Sequence, residues 1–179
     1  MERVKIHDKE FELFISAEQI DEGIAKVARS LDAEFRGKRP LLLGVLNGSF
    51  LFLADLIKKM DIELEISFVK LASYHGTSST GNVKHLVGLN ERLEGRHVII
   101  VEDIVDTGLT IESLMAQVKE HHPASISIAT LLFKPDAYKK DIPIDHIALD
   151  VPNDFLVGYG LDYDGLGRNL KHIYTLVEQ

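Results

Sequence analysis

The segment HVIIVEDIVDTGLT, residues 97–110, decides how the chain folds. Its first part, His97–Val101, is the short, mostly β-branched run typical of a strand buried on both faces. Two adjacent carboxylates follow, and a glycine then precedes a helical pattern over Ile111–His122. A strand, a short loop and a helix in this order are typical of a parallel sheet covered by helices.

The same alternation extends to both sides of this segment. A capping box at Ser16 and Gln19 predicts the start of a helix that runs to Gly37. The other predicted elements are the strand Leu41–Leu46, the helix Ser49–Met60, and the strands Glu63–Ala72, Ser125–Phe133, His146–Val151 and Ile173–Val177. The sequence therefore predicts an α/β fold with a mostly parallel, twisted sheet flanked by helices. A length of 179 residues favours a single domain over residues 1–179.

Composition narrows the classes of function. The formal net charge of −8 argues against a nucleic-acid partner, because the phosphates would be repelled on average. The chain has no cysteine, which excludes disulfides, thiolate catalysis and cysteine-bound zinc. The longest apolar runs are far shorter than the roughly 20 residues that span a bilayer, and the N-terminus lacks the apolar core of a secretory signal. We expect a cytoplasmic protein with no membrane partner.

The loop after the strand His97–Val101 has two chemically different halves. In its second half, Gly108 lets the backbone curl, and the amides from Asp106 to Thr110 suit a phosphate at the start of a helix. In its first half, Glu102 and Asp103 suit vicinal hydroxyls and a hydrated magnesium ion. A ribose phosphate with a metal would satisfy both halves. The alternative is an acidic strand end at which Asp106 or Thr107 only caps the helix.

Two further features carry less information. The polar stretch Gly76–Asn82 is either a hairpin tip or a mobile lid. The eight histidines are scattered, so the pattern indicates no histidine-based metal cluster.

At this point the chain resembles a known family. The run Val101–Thr110 resembles the motif for 5-phosphoribosyl diphosphate (PRPP) of the type I phosphoribosyltransferases. The flanking sequence is similar to the hypoxanthine–guanine branch of that family. The segments that carry this similarity are, in order, Leu46–Ser49, Ser73 and Tyr74, the PRPP motif, Lys134, and Asp154–Tyr163.

The resemblance implies that pyrophosphate at ribose C1 is replaced by a purine nitrogen. It assigns the ribose hydroxyls and magnesium to Glu102 and Asp103. The 5′-phosphate would bind the turn formed by Asp106, Thr107, Gly108, Leu109 and Thr110. Asp106 would also be the general base, or a hydrogen-bond partner, at purine N7. Since Leu109 replaces a lysine found in some relatives, this site would depend more on amides and hydroxyls.

The resemblance also implies the groups that bind the base and the leaving group. Lys134 would donate to the exocyclic O6, and an ammonium that cannot accept a hydrogen bond disfavours adenine. Phe155 would stack on the base, beside a backbone carbonyl near Leu156. Asp162 would bind a second magnesium ion that also holds pyrophosphate, and the backbone near it would take part in recognition of the base. Pyrophosphate would be bound by Leu46, Asn47, Gly48, Ser73, Tyr74 and Arg168, with a non-proline cis peptide in the first of these segments and a lid beginning at Ser73. Asn47 replaces a lysine of many relatives, which leaves the backbone role.

The family further implies a small hood formed by residues 1–15 and 150–179, and a homodimer or homotetramer. The predicted activity is therefore magnesium-dependent purine salvage, which makes IMP or GMP from PRPP and a 6-oxopurine. Two alternatives stay open. One is a regulatory protein that senses PRPP or a nucleotide without turnover, and the other is a phosphoribosyltransferase for xanthine or a pyrimidine.

Overall fold

The computed structural model describes residues 2–74 and 83–177, with the backbone alone for residues 72–74 and 83–86. In chain order, the elements are β1 (Arg3–Ile6), β2 (Lys9–Ile15), α1 (Ala17–Phe35), β3 (Leu41–Leu46), α2 (Phe50–Lys59), β4 (Glu65–Tyr74), β5 (Val83–Val87), β6 (His97–Val105), α3 (Leu109–Lys119), β7 (Ser125–Phe133), β8 (His146–Asp150), β9 (Leu156–Val157) and β10 (Ile173–Leu176).

The main sheet has the strand order β5-β4-β3-β6-β7-β8 among the described residues. Every neighbouring pair from β4 to β8 is parallel, and β5 alone pairs antiparallel, at the β4 edge. This arrangement confirms the predicted α/β fold with a mostly parallel sheet. The carboxyl ends of its parallel strands meet at one edge, where ligands gather in such folds.

Helix α1 covers one face of the main sheet because its apolar residues share one side. Its buried side chains include Ile20, Ile24 and Leu31, which recur at helical spacing. The predicted capping box is confirmed: the Gln19 amide donates to Ser16 Oγ at 3.3 Å, and the Ser16 amide donates to Gln19 Oε1 at 2.9 Å. The helix thus starts at a defined residue and packs against β8 and α2.

Strand β6 is longer than the sequence predicted. Its ladder with β7 continues past Val101 through Glu102–Thr130 and Ile104–Leu132 to Val105–Phe133. The prediction that the strand ends at Val101 was therefore wrong, because alternating polar residues at a strand end still fit a parallel ladder. Glu102 and Asp103 are strand residues, and only Asp106, Thr107 and Gly108 lie between strand and helix.

A second, antiparallel sheet joins the two ends of the chain in the order β1-β2-β10-β9. Its small core contains Ile6, Phe11, Val157 and Tyr174. Strands β1, β2, β5 and β9 were not predicted from the sequence. The predicted lid stretch, residues 76–82, lies outside the described residues. Within the described part of the chain, none of the helices is long and apolar enough to cross a membrane.

Candidate active site

The turn between β6 and α3 is shaped for an anion. Gly108 is the residue before the helix and has φ of 88°, a left-handed conformation that favours glycine. The N-cap position of α3 is Gly108, which has no side chain to make a cap hydrogen bond, so neither Asp106 nor Thr107 occupies the position of a helix cap. The free amides at this helix start suit a phosphate.

The back of this turn is closed by the segment after β7. A Cβ atom on Gly108 would lie 2.6 Å from Tyr138 Cε2 and 2.7 Å from Lys140 Cγ. The Lys139 amide donates to the Thr107 carbonyl at 3.2 Å. A larger residue at position 108 would therefore displace these neighbours. Leu109, the position where some relatives have lysine, is exposed.

Asp103 is packed against the loop after β3. A Cβ atom on Gly48 would lie 1.7 Å from Asp103 Oδ2, so only glycine allows this approach. The peptide bond between Leu46 and Asn47 is cis, as the resemblance implied. On its other side, Gly48 meets the C-terminal segment, since a Cβ atom on Gly160 would lie 2.1 Å from the Gly48 carbonyl oxygen. Two other segments, at Asp103 and at Gly160, therefore meet the loop at Gly48.

The Asp103 carboxyl is in an unusual electrostatic environment. Burial raises its pKa from 3.8 to about 6, although its own backbone and that of Ile104 donate hydrogen bonds that oppose the shift. The Ile104 amide donates to Asp103 Oδ1 at 2.8 Å. Arg168 also lowers this pKa and Asp162 raises it, which places both charges near Asp103. Such a carboxyl gains stabilisation when a cation approaches it.

The predicted metal ligands are only partly brought together. Glu102 is buried beside Asp103 on β6, whereas Asp162 lies on the C-terminal segment. Within residues 2–74 and 83–177, no group of three or more carboxylates or histidines could hold a metal ion by itself. A buried carboxylate with a raised pKa fits a magnesium ion that keeps several waters and arrives with phosphate oxygens, because magnesium needs few protein ligands.

Lys134 and Asp106 face each other at the carboxyl edge of the main sheet. Lys134 Nζ lies 3.7 Å from Asp106 Oδ2. The lysine is 8% exposed, while half of the Asp106 side chain is exposed. The Lys134 amide donates to the Val105 carbonyl at 3.0 Å, which fixes the end of β7 beside the turn between β6 and α3. The two residues to which the family resemblance gives O6 and N7 of a purine therefore lie side by side.

An aromatic surface lies on the second sheet. Phe155 is 46% exposed, and its ring centroid is 6.2 Å from that of Phe11 and 5.9 Å from that of Tyr163. Leu156 is buried and starts β9. An exposed ring supported by two others is arranged to stack on a flat apolar ligand.

Arg168 and Asp162 form an ion pair across a turn. Arg168 Nη2 lies 2.8 Å from Asp162 Oδ1, and Arg168 Nη1 donates to the Gly160 carbonyl at 2.6 Å. Asp162 Oδ2 accepts from the Gly165 amide at 2.8 Å. Arg168, predicted to bind pyrophosphate, and Asp162, predicted to bind metal, therefore also stabilise the turn in which they lie.

The backbone of Ser73 and Tyr74 ends β4, where it pairs with Lys84 and Val83 of β5. The side chains at these two positions lie outside the description. Sequence reasoning missed Phe11, which supports Phe155. The alternation of Phe11, Leu13 and Ile15 in the run Lys9–Ile15 is the signal that could have identified its strand.

A parallel sheet that ends in paired carboxylates, a glycine-started helix and a buried lysine is the arrangement that the resemblance to the type I phosphoribosyltransferases implied. Comparison with known proteins supports this class. A model of the phosphoribosyl transferase domain matches residues 16–164. The chain belongs to the phosphoribosyltransferase family.

Individual members of this family are similar to the chain along nearly its whole length. A hypoxanthine-guanine phosphoribosyltransferase of Streptococcus pneumoniae R6 is 41% identical over 168 residues, which cover 93% of each chain. One of Streptococcus agalactiae 2603 V/R is 44% identical over 155 residues, or 86% of each chain. A crystal structure of a hypoxanthine phosphoribosyltransferase of Staphylococcus aureus is 36% identical with a TM-score of 0.85, and the match covers 93% of this chain and 91% of that one.

Proposed function

We propose that this chain transfers the 5-phosphoribosyl group of PRPP to hypoxanthine or guanine, forming IMP or GMP and pyrophosphate in purine salvage. The observation that carries the proposal is the pair of Lys134 and Asp106, 3.7 Å apart beside the PRPP loop. On a 6-oxopurine, O6 and N7 lie on one edge of the base. One donor and one acceptor side by side match that edge when N7 carries a proton.

Lys134 supplies the selection for an oxygen at position 6. An ammonium group donates three hydrogen bonds and accepts none, so it pairs with O6 and leaves the amino group of adenine without a partner. Its burial at the strand end strengthens this discrimination, because an unpaired polar group in a buried site costs free energy.

Asp106 balances the proton in the reaction. The N9 lone pair of the N7-protonated base forms the bond to ribose C1, and the bond from C1 to the pyrophosphate oxygen breaks. The purine then carries the positive charge, and Asp106 accepts the proton from N7 to leave a neutral base in the nucleotide. A general base placed in this way contributes roughly 10²–10⁴ to the rate.

The other residues hold the two ends of PRPP. The amides of Asp106 to Thr110 bind the 5′-phosphate, and Glu102 and Asp103 accept hydrogen bonds from the ribose hydroxyls. The backbone of Leu46, Asn47 and Gly48 donates to pyrophosphate together with Arg168, with Ser73 and Tyr74 at the entrance. Glu102, Asp103 and Asp162 would hold magnesium, which would supply positive charge to balance that of the leaving group.

Phe155 of the second sheet stacks on the base, and the backbone at Leu156 completes its recognition. Residues 1–15 and 150–179 thus act as a hood within one domain that spans residues 1–179. We take the working protein to be a cytoplasmic homodimer or homotetramer, in line with the family resemblance.

The proposal is tested with pure protein, PRPP, magnesium and hypoxanthine, by measuring IMP and pyrophosphate in the same sample. We expect the two products in equal amounts, and none when magnesium is removed by a chelator. Tight binding of PRPP or IMP without any product would instead support a regulatory sensor. Nucleotide formed only from xanthine or a pyrimidine would overturn the proposed substrate class.

A further inference from the structure

We propose that Tyr159 is a positioning residue for the pyrophosphate site: its hydroxyl anchors the turn that carries Gly160 and Arg168 onto helix α2. The inference rests on the proposed function, because it assigns a role within that same site. Tyr159 does not touch the reacting atoms in this account. It acts through its neighbours.

Tyr159 connects two segments that are far apart in sequence. Its ring is buried, with 8% exposure, and its hydroxyl donates to Asp55 Oδ2 on α2. The same hydroxyl lies 3.4 Å from the Leu51 carbonyl oxygen. Helix α2 begins at Phe50, two residues after Gly48. The hydrogen bond therefore ties the C-terminal segment to the helix that follows the pyrophosphate loop.

The next residue along the chain meets that loop directly. A Cβ atom on Gly160 would lie 2.1 Å from the Gly48 carbonyl oxygen. The Gly160 amide donates to the Arg168 carbonyl at 2.9 Å, and its carbonyl accepts from Arg168 Nη1 at 2.6 Å. A shift of the Tyr159–Gly160 turn would therefore move the arginine and the loop relative to each other.

The backbone at Tyr159 requires such an anchor. Its φ is 47°, a left-handed conformation that is uncommon for a bulky residue and costs free energy. The Tyr159 amide donates to the Leu170 carbonyl at 2.9 Å, which holds one side of the turn. The hydroxyl holds the other side, on α2. A strained turn that is fixed at both sides sets the position of its neighbours.

The acceptor of this hydrogen bond is a charged carboxylate. Burial opposes ionisation of Asp55, but hydrogen bonds from Lys58 and Tyr159 outweigh it and lower the pKa of Asp55. Lys58 Nζ lies 2.6 Å from Asp55 Oδ1. Burial and the Asp55 carboxylate both raise the pKa of Tyr159, so the hydroxyl stays a donor. Hydrogen bonds to a charged partner are among the stronger ones in proteins.

The Tyr159 hydroxyl can be removed with little disturbance because it lies at the wall of a cavity. Tyr159, Asp55 and Leu51 line a space of about 690 Å³ between α1, α2 and the C-terminal segment. When the hydroxyl is removed, water in this space reaches Asp55, which also keeps Lys58. We therefore expect the Tyr159→Phe variant to fold.

The test compares Tyr159→Phe with a matched variant, Tyr174→Phe. Tyr174 is buried in strand β10 of the small sheet, and its hydroxyl donates to Glu2 at 2.6 Å. The Michaelis constants for pyrophosphate and IMP in the reverse reaction, and for PRPP and hypoxanthine in the forward reaction, are measured for both. For Tyr159→Phe, we expect the constants for pyrophosphate and PRPP to rise roughly three- to tenfold, which is less than the full value of one hydrogen bond to a charge because Tyr159 acts on the site only through its neighbours. The constant for hypoxanthine stays within about twofold of wild type, as do all constants of Tyr174→Phe.

Two changes at Asp55 complete the design. Asp55→Asn keeps an oxygen that can accept from Tyr159, and we expect it to bind pyrophosphate within about threefold of wild type. Asp55→Ala removes the acceptor and should reproduce Tyr159→Phe. If Asp55→Ala does not fold, the comparison of Tyr159→Phe with Asp55→Asn still tests the positioning role.

The outcomes separate the inference from the proposed function. Turnover by the wild-type chain, with an unchanged pyrophosphate constant in Tyr159→Phe, overturns the inference alone. An equal rise in the constants for hypoxanthine and pyrophosphate also overturns it, because it indicates a general structural effect. A wild-type chain without turnover overturns the proposed function and the positioning role together.

Discussion

The carboxyl edge of the main sheet and the small antiparallel sheet contribute chemically different residues to the candidate site. The first consists of charges and glycines, with Asp103 buried at the end of β6 and packed on Gly48. The second consists of apolar rings, with Phe155 exposed beside Phe11 and Tyr163. In the proposed function, the first region carries the reaction and selects the oxygen at position 6 through Lys134, and the second region stacks on the base.

The two regions also differ in how much they lower the stability of the folded protein. A carboxylate buried at a strand end loses its hydration. It regains a favourable partner only when a ligand binds. An exposed ring costs little in the folded state and gains from a stacking partner. We therefore expect substitutions in the first region to change rate, stability or the choice of base, and those in the second to change only the affinity for the base.

The largest expected effect is at Asp106. Asp106→Asn should lower kcat by roughly 10²–10⁴ with little change in PRPP binding, because the amide cannot accept the N7 proton. Single-turnover rates and PRPP titrations measure the two quantities. An unchanged kcat would limit Asp106 to a contact with Lys134.

The second effect is on the stability of the protein, which depends on the ionisation of Asp103. Because its pKa is about 6 in the folded protein and 3.8 ordinarily, the folded state binds more protons between these values. The free energy of unfolding therefore falls as pH rises through this window, by about 3 kcal/mol in total, and stays low above it. Asp103→Asn should remove this loss. It should thus be more stable than wild type at pH 8 and close to it at pH 4, in the absence of magnesium and PRPP.

Urea unfolding at a series of pH values measures this difference, with the exposed Asp141→Asn as control. Parallel curves for wild type and Asp103→Asn would mean that the Asp103 carboxyl does not have a raised pKa.

The third effect is a loss of selectivity at Lys134. Lys134→Ala should reduce the ratio of kcat/KM for hypoxanthine over adenine by roughly 10- to 100-fold, since the donor to O6 is removed. The exposed Lys119→Ala provides a control for the loss of one positive charge. If the ratio is the same in both variants, Lys134 has no part in recognising the base.

The smallest effect is at Phe155. Phe155→Ala should raise KM for hypoxanthine by roughly three- to tenfold, the contribution of one stacked ring, and leave kcat nearly unchanged. Leu166→Ala removes another exposed apolar side chain from the same segment and should have no effect. A fall in kcat without a change in KM would place Phe155 in the chemistry and weaken the contrast between the two regions.

The first region could be predicted from sequence because its signals are local. A buried β-branched run, two carboxylates and a glycine before a helix are contiguous in residues 97–110, and parallel pairing follows from the alternation with helices. The exact end of β6 could not be predicted, since polar residues at a strand end look like a loop. The ladder to β7 that extends it depends on residues far away in sequence.

The second region was only partly predictable because its contacts join both ends of the chain. Phe155 was assigned a role through family resemblance, but its partner Phe11 belongs to a strand whose alternation was not used. The hydrogen bond from Tyr159 to Asp55 and the approach of Gly160 to Gly48 link segments more than 100 residues apart. No local pattern contains such pairings.

The most direct test of the account is a comparison of kcat/KM for hypoxanthine, guanine, xanthine and adenine with PRPP and magnesium. If Lys134 and Phe155 together select the base, hypoxanthine and guanine should exceed adenine by about 100-fold or more. Equal use of adenine, or no nucleotide from either hypoxanthine or guanine, would contradict the account.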